Sequence, residues 1–121
     1  MKNVECRMKN VIVEKSFCFA VRIVNLYKYL CNEKKEFILS KQLMRSGTSI
    51  GANIHEAQFG QSKADFTMKM NIALKEANET LYWLKLLYKT EYITEPQYTS
   101  ISSNADEIVS LLVAICKTSR M

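Results

Sequence analysis

The sequence predicts an all-α protein, four amphipathic helices packed up-down-up-down into one bundle. Three observations carry that reading. The 121 residues include three Gly and one Pro, too few turn residues for a β-sandwich or barrel of this length. Apolar residues make up 48% of the chain, enough for one core. Apolar positions recur at three- and four-residue spacing along four long segments joined by short polar breaks. The length corresponds to a single domain over residues 1–121, with its core expected from about residue 9 to about residue 118.

The first helix is expected over Asn10–Asn32. At 100° per residue, Phe17, Ala20, Val21, Val24 and Cys31 fall on one side. Phe19, Ile23, Leu26 and Leu30 fall on the other, and Tyr27 bridges part of the gap. The apolar arc of roughly 220° is wider than a surface helix needs. The excess is expected to be a subunit interface, formed by Phe19, Ile23, Leu26 and Leu30. Only a strip with Lys15, Arg22, Asn25 and Tyr29 is clearly polar.

CNEKKEF (31–37) reads as a charged connector, and the second helix follows over Phe37–Phe59. Its core face is Leu39, Leu43, Ile50, Ile54 and Ala57. Gly47 and Gly51 lie four apart inside it. Each costs a helix roughly 1 kcal/mol relative to Ala, so a close approach of another helix backbone is expected there. A phosphate-cradling loop is excluded: no strand precedes these glycines and no Lys-Ser/Thr follows.

Gly60-Gln61 makes the next break. Ser62 with Asp65 three later resembles a capping box, opening a third helix that runs to Thr90. Phe66, Met70, Ala73, Ala77, Leu81, Leu84 and Tyr88 form its apolar stripe. A second stripe holds Asp65, Lys69, Ile72, Glu76, Glu79 and Trp83. The fourth helix begins at another capping box, Thr94 with Gln97, flanked by Ile93 and Tyr98 as a hydrophobic staple. Pro96 sits in the first turn, where its missing N–H is harmless. Ile101, Ala105, Ile108, Leu112 and Ile115 follow at three- and four-residue spacing, and the final KTSRM is expected to fray.

The net charge is +5. Residues 1–60 carry ten Lys/Arg against five Asp/Glu, and residues 61–121 carry seven of each, so the excess lies in the first half. That asymmetry points to an anionic partner, nucleic acid foremost. Lys15, Arg22, Lys28, Lys34, Lys35 and Lys41 are the candidate contacts. Thirteen lysines against four arginines favour phosphate contact over base reading. No helix-turn-helix, zinc finger or RNA-stacking sheet motif is present, so binding is expected to be weakly specific and salt-dependent.

Arg45, Ser49, Asn53 and Glu56 share one face of the second helix; Asp65, Lys69, Glu76 and Glu79 share one face of the third. A hairpin folded near Gly60 brings Arg45 toward Glu76 and Glu56 toward Lys63. These residues are expected to form an interhelix polar network that fixes register and partner choice.

Catalytic and metal chemistry find no support. A di-metal bundle needs Glu-x-x-His motifs, and none is present. The only histidine, His55, is next to Glu56, which points in another direction. Cys6, Cys18, Cys31 and Cys116 make no C-x-x-C pair and are expected to be small buried hydrophobes in a reducing cytoplasm. No catalytic residue, metal or cofactor is therefore expected. MKNVECRMKN has no apolar core behind its charges. Residues 11–30 are interrupted by Glu14, Lys15, Arg22 and Lys28, so no membrane span is expected and the chain reads as soluble and cytoplasmic.

LSKQLMRSGTSIGANIHEA (39–57), SKADFTMKMNIALKEANETLYWLKLL (62–87) and EKSFCFAVRIVNL (14–26) resemble the four-helix bundle proteins encoded in intervening sequences of bacterial 23S rRNA genes. The motifs are RS-x-TSIGAN-x-x-EA and DF-x-x-K-x-x-IA-x-KEA-x-ET-x-YWL. The resemblance implies a left-handed bundle assembled as a homopentamer, without enzymatic activity, and with a suggested role in binding rRNA or other nucleic acid. A similar bundle, the accessory protein of diversity-generating retroelements, implies the alternative of a protein–protein adaptor. Matched by position, the family's motif residues are Arg45, Ser46, Ser49, Asn53, Glu56, Asp65, Phe66, Lys69, Glu76, Glu79, Tyr82 and Trp83, whose types imply a polar network between helices.

Overall fold

A computed structural model describes residues 4–119, with side chains from residue 10 onward. It contains α1 (Val4–Asn32), α2 (Leu39–Ala57), α3 (Lys63–Lys89) and α4 (Glu95–Ser119), and no strand among the described residues. The helices form a closed four-membered circuit in which α1 packs on α2, α2 on α3, α3 on α4, and α4 on α1.

Each neighbouring pair is antiparallel. Ile23 and Ser16 of α1 face Gly47 and Gly51 of α2 in reverse order. Arg45 reaches Glu76 while Glu56 reaches Lys69. Tyr88 stacks on Tyr98 near one end of α3 and α4, and Thr67 bonds Ser119 near the other. Arg22 meets Asn104, and Lys15 meets Glu107.

The helix ends follow local chemistry. Ser62 is extended (φ −147°, ψ 166°) and its hydroxyl accepts the Asp65 N–H, which starts α3. At α4, the Thr94 hydroxyl accepts the Gln97 N–H at 3.3 Å, and the Gln97 side-chain oxygen accepts the Thr94 N–H at 2.8 Å. That reciprocal pair satisfies two donors a helix start otherwise leaves open. α3 ends at Lys89, and two residues on Glu91 is left-handed with φ 68°. The Glu91 and Tyr92 N–H groups then bond back to Tyr88 and Leu87, as a helix C-terminus requires.

α1 is already helical at Val4, ahead of the expected Asn10, because no Gly or Pro interrupts residues 4–10. α2 begins at Leu39 rather than Phe37, for a reason that lies in Glu36. α4 stays helical through Ser119; Arg120 and Met121 lie outside the described residues.

Burial corrects the reading of α1. Phe19, Ile23 and Leu30 are fully buried within this one chain, and Leu26 packs half-buried against the same core. They are core residues, not a free interface. The outward face is the other one, where Phe17 is 69% exposed and Val21 46%. An apolar arc on both sides of a helix leaves two possible orientations. The glycines of α2 decide between them, because the notch at Gly47 receives Ile23. Cys18 is likewise exposed, while Cys31 is half-buried and Cys116 buried. The side chain of Cys6 lies outside those described.

Candidate nucleic-acid interface

The connector between α1 and α2 is held by one carboxylate. The Glu36 Oε2 accepts the N–H groups of Ile38 (3.1 Å) and Leu39 (2.9 Å), and Oε1 accepts that of Ser40 (2.7 Å). The Ser40 hydroxyl donates back to the Glu36 carbonyl at 2.8 Å. These are the unsatisfied donors of the α2 N-terminus, where a negative charge is also favoured by the helix dipole. Ile38 itself supplies no side-chain cap. Burial pushes the Glu36 carboxyl up, but the N–H groups of Leu39, Ser40 and Ile38 and the Ser40 hydroxyl outweigh it, and the carboxyl stays below the ordinary glutamate range. Glu36 is 8% exposed. Lys35 turns the chain into it with φ 54°, and the Glu36 N–H donates to the Leu30 carbonyl at 3.0 Å.

With Glu36 turned inward, the lysines around it face solvent beside one exposed acid of the connector, Glu33. Lys28, Lys34, Lys35 and Lys41 are all exposed and form no ion pair among the described residues. Lys34 Nζ lies 6.0 Å from the Tyr29 ring centre. The other two candidate cations serve the fold. Lys15 pairs with Glu107 at 2.9 Å. Arg22 donates to the Asn104 side-chain oxygen, to the Ser100 hydroxyl at 3.0 Å and to the Ser100 carbonyl at 3.3 Å. Both fasten α1 to α4.

The polar stripe of α2 and α3 divides into two clusters. Arg45 donates to Glu76 at 3.3 Å, to Gln42 at 3.2 Å and to Glu79. Trp83 Nε1 donates to the same Glu79 oxygen at 2.9 Å. The Trp83 N–H, and after it Arg45, hold the Glu79 carboxyl below its ordinary value against partial burial. Separately, Lys69 pairs with Glu56 at 3.2 Å, where the hairpin reading expects Lys63. Ser49 and Asn53 bond their own helix backbone, to the carbonyls of Arg45 and Ser49. Asp65 donates its backbone N–H to the Ser62 hydroxyl that caps α3. Beneath the Arg45 cluster the buried Thr80 hydroxyl bonds Ser46 at 3.0 Å and the Glu76 carbonyl at 2.8 Å.

Sequence reasoning missed Glu36 as a cap and Trp83 as a partner of Glu79. The Glu79–Trp83 spacing of four was a readable signal. For Glu36, an acid two to four residues before the helix donors it serves was the available sign.

No three of the described His, Cys, Asp and Glu residues gather as a metal site. No described helix is long and apolar enough to cross a membrane. A groove of about 640 Å³ runs between α1 and α2, lined by Phe17, Ala20, Gly51, Ala52 and His55 among others.

The fold therefore defines a four-helix bundle with a group of exposed lysines around the α1–α2 connector. The chain belongs to the 23S rRNA-intervening sequence protein family, whose sequence profile matches residues 8–114. It is similar to a crystal structure described as a protein with unknown function from the S23 ribosomal protein family of Bacteroides thetaiotaomicron VPI-5482. The two are 64% identical, with a TM-score of 0.90 over 91% of this chain and 98% of that one. Comparison with curated proteins gives no match.

Proposed function

We propose that this protein is a non-enzymatic, cytoplasmic bundle that self-associates and binds nucleic acid, RNA foremost, by electrostatic contact of low specificity. The withdrawal of Glu36 into the α2 cap supports the reading, because it takes one carboxylate off the connector's surface and leaves Lys28, Lys34, Lys35 and Lys41 exposed with no ion pair among the described residues. Lysine ammonium groups are point charges suited to phosphate rather than to base edges. A homo-oligomer, the pentamer of the family resemblance, repeats the patch about an axis and sums its field.

The test is RNA titration across a salt series, on the wild type and on a variant with all four lysines changed to Gln. The wild type is expected to lose affinity steeply as salt rises. Removing four phosphate contacts flattens the log–log slope by about 3 for a single strand. A variant with unchanged affinity and slope refutes the assignment of this patch.

A second reading is favoured by Phe17 and Val21, exposed beside the α1–α2 groove. In that reading the protein is an adaptor whose apolar face docks another protein. A complex that survives high salt and ignores the four lysines distinguishes it.

A further inference from the structure

We propose that the α1–α2 connector recognises single-stranded rather than duplex RNA, with Phe37 stacking on an unpaired base and Lys34, Lys35 and Lys41 holding the phosphates beside it. The inference rests on the nucleic-acid reading above and narrows it.

In KKEFILSK (34–41) the two central apolar side chains point into solvent: Phe37 is 57% exposed and Ile38 77%. They are not there for want of structure. The left-handed φ of Lys35, the Glu36 N–H bond to Leu30 and the three bonds into the Glu36 carboxylate fix the turn that carries them. Of the connector's two acids, which would repel phosphate, Glu36 is turned inward and Glu33 stays exposed ahead of Lys34. What remains outside is a ring and an aliphatic side chain bracketed by cations.

That combination complements a polymer that is both anionic and apolar-faced. A duplex shows its phosphates and hides its base faces, whereas a single strand shows both. An aromatic side chain with flanking cations is the element that binds single strands without reading sequence. An anionic lipid surface shares the charge, but interfacial binding scales with buried apolar area, and two adjacent side chains supply little.

Anisotropy titrations at one salt concentration, with a short labelled oligouridylate and a blunt-ended RNA duplex of equal phosphate number, test this. Phe37→Ala is expected to weaken strand binding by about tenfold and leave duplex binding unchanged. Phe37→Trp keeps the affinity, and its added emission is quenched by the strand. Because Phe37 is exposed, both variants should melt as the wild type does. Equal binding of strand and duplex, insensitive to Phe37 but lost with the four lysines, overturns the stacking and leaves the electrostatic reading standing. Binding of neither RNA overturns both. Phe37-dependent capture by phosphatidylserine vesicles, without strand preference, replaces the base with a lipid surface.

Discussion

A Cβ placed on Gly47 of α2 falls 2.7 Å from Cγ1 of Ile23 on α1, and within 2.9 Å of two more of its atoms. Ile23 is fully buried, so the surrounding core resists its displacement. One turn further, a Cβ on Gly51 lies 3.2 Å from the Ser16 carbonyl oxygen. The two glycines let the α1 backbone and the Ile23 side chain sit against α2, and so decide which apolar face of α1 is inside.

Gly47→Ala therefore sets two effects against each other. Alanine favours a helix interior by about 1 kcal/mol, while overpacking a core costs about 1–3 kcal/mol. Three contacts below 3 Å place this site at the upper end, so a net loss of about 1–2 kcal/mol is expected. Ile23→Ala removes all three contacting atoms. The double variant should be more stable than the two single losses add to, by about 1 kcal/mol. A thermal melt unchanged by Gly47→Ala alone means that Ile23 has room to move.

Arg45 joins α2 to two carboxylates of α3, yet its side chain is 49% exposed. Exposed pairs contribute about 0.2–1 kcal/mol, far less than a buried charge loses when its partner is removed. Arg45→Ala is expected to cost about 1 kcal/mol, less at high salt. A loss several times larger in urea unfolding at high salt would show that the cluster is buried in the assembled protein.

Glu36→Gln tests the α2 cap and carries a pH signature. The folded carboxyl titrates below its ordinary value, so its stabilisation is fully present above the unfolded pKa and is lost as pH falls through the folded one. At pH 7 the variant should be less stable by about 1–2 kcal/mol. Below about pH 4 the difference should shrink, as the wild-type carboxyl takes up its proton. Glu79 is lowered as well, so only the difference between the two proteins isolates Glu36. A gap that stays constant down to pH 3 rejects the charged cap.

The helices were legible because burial imposes its period on the chain. Ile101, Ala105, Ile108, Leu112 and Ile115 are all buried as their spacing requires, and the Ser62 cap and the Thr94–Gln97 capping box need only neighbouring residues. The orientation of α1 was not legible, because both of its faces are apolar and the deciding notch is on another helix. The candidate interface was half legible. Charge asymmetry named six cations, but only the tertiary contacts show that Lys15 and Arg22 are engaged by α4. The inward turn of Glu36 depends on the left-handed Lys35, a conformation that a lysine codon does not announce.

Self-association is expected to run through the outward face of α1, which gives a contrast between two substitutions on one helix. Phe17 is 69% exposed and lines the α1–α2 groove. Phe17→Asp should leave the single-chain fold intact and place a charge where a partner helix would pack. Ile23 lies at the centre of the bundle, and Ile23→Asp buries an unpaired charge and should unfold the chain. Light scattering with circular dichroism separates the two. Phe17→Asp is expected to give a helical protein of reduced mass, and Ile23→Asp a loss of helix. A Phe17→Asp protein that keeps its full oligomeric mass moves the interface away from this face of α1. A wild type that is monomeric at every concentration removes self-association from the proposed function, and leaves the groove beside Phe17 to a different partner.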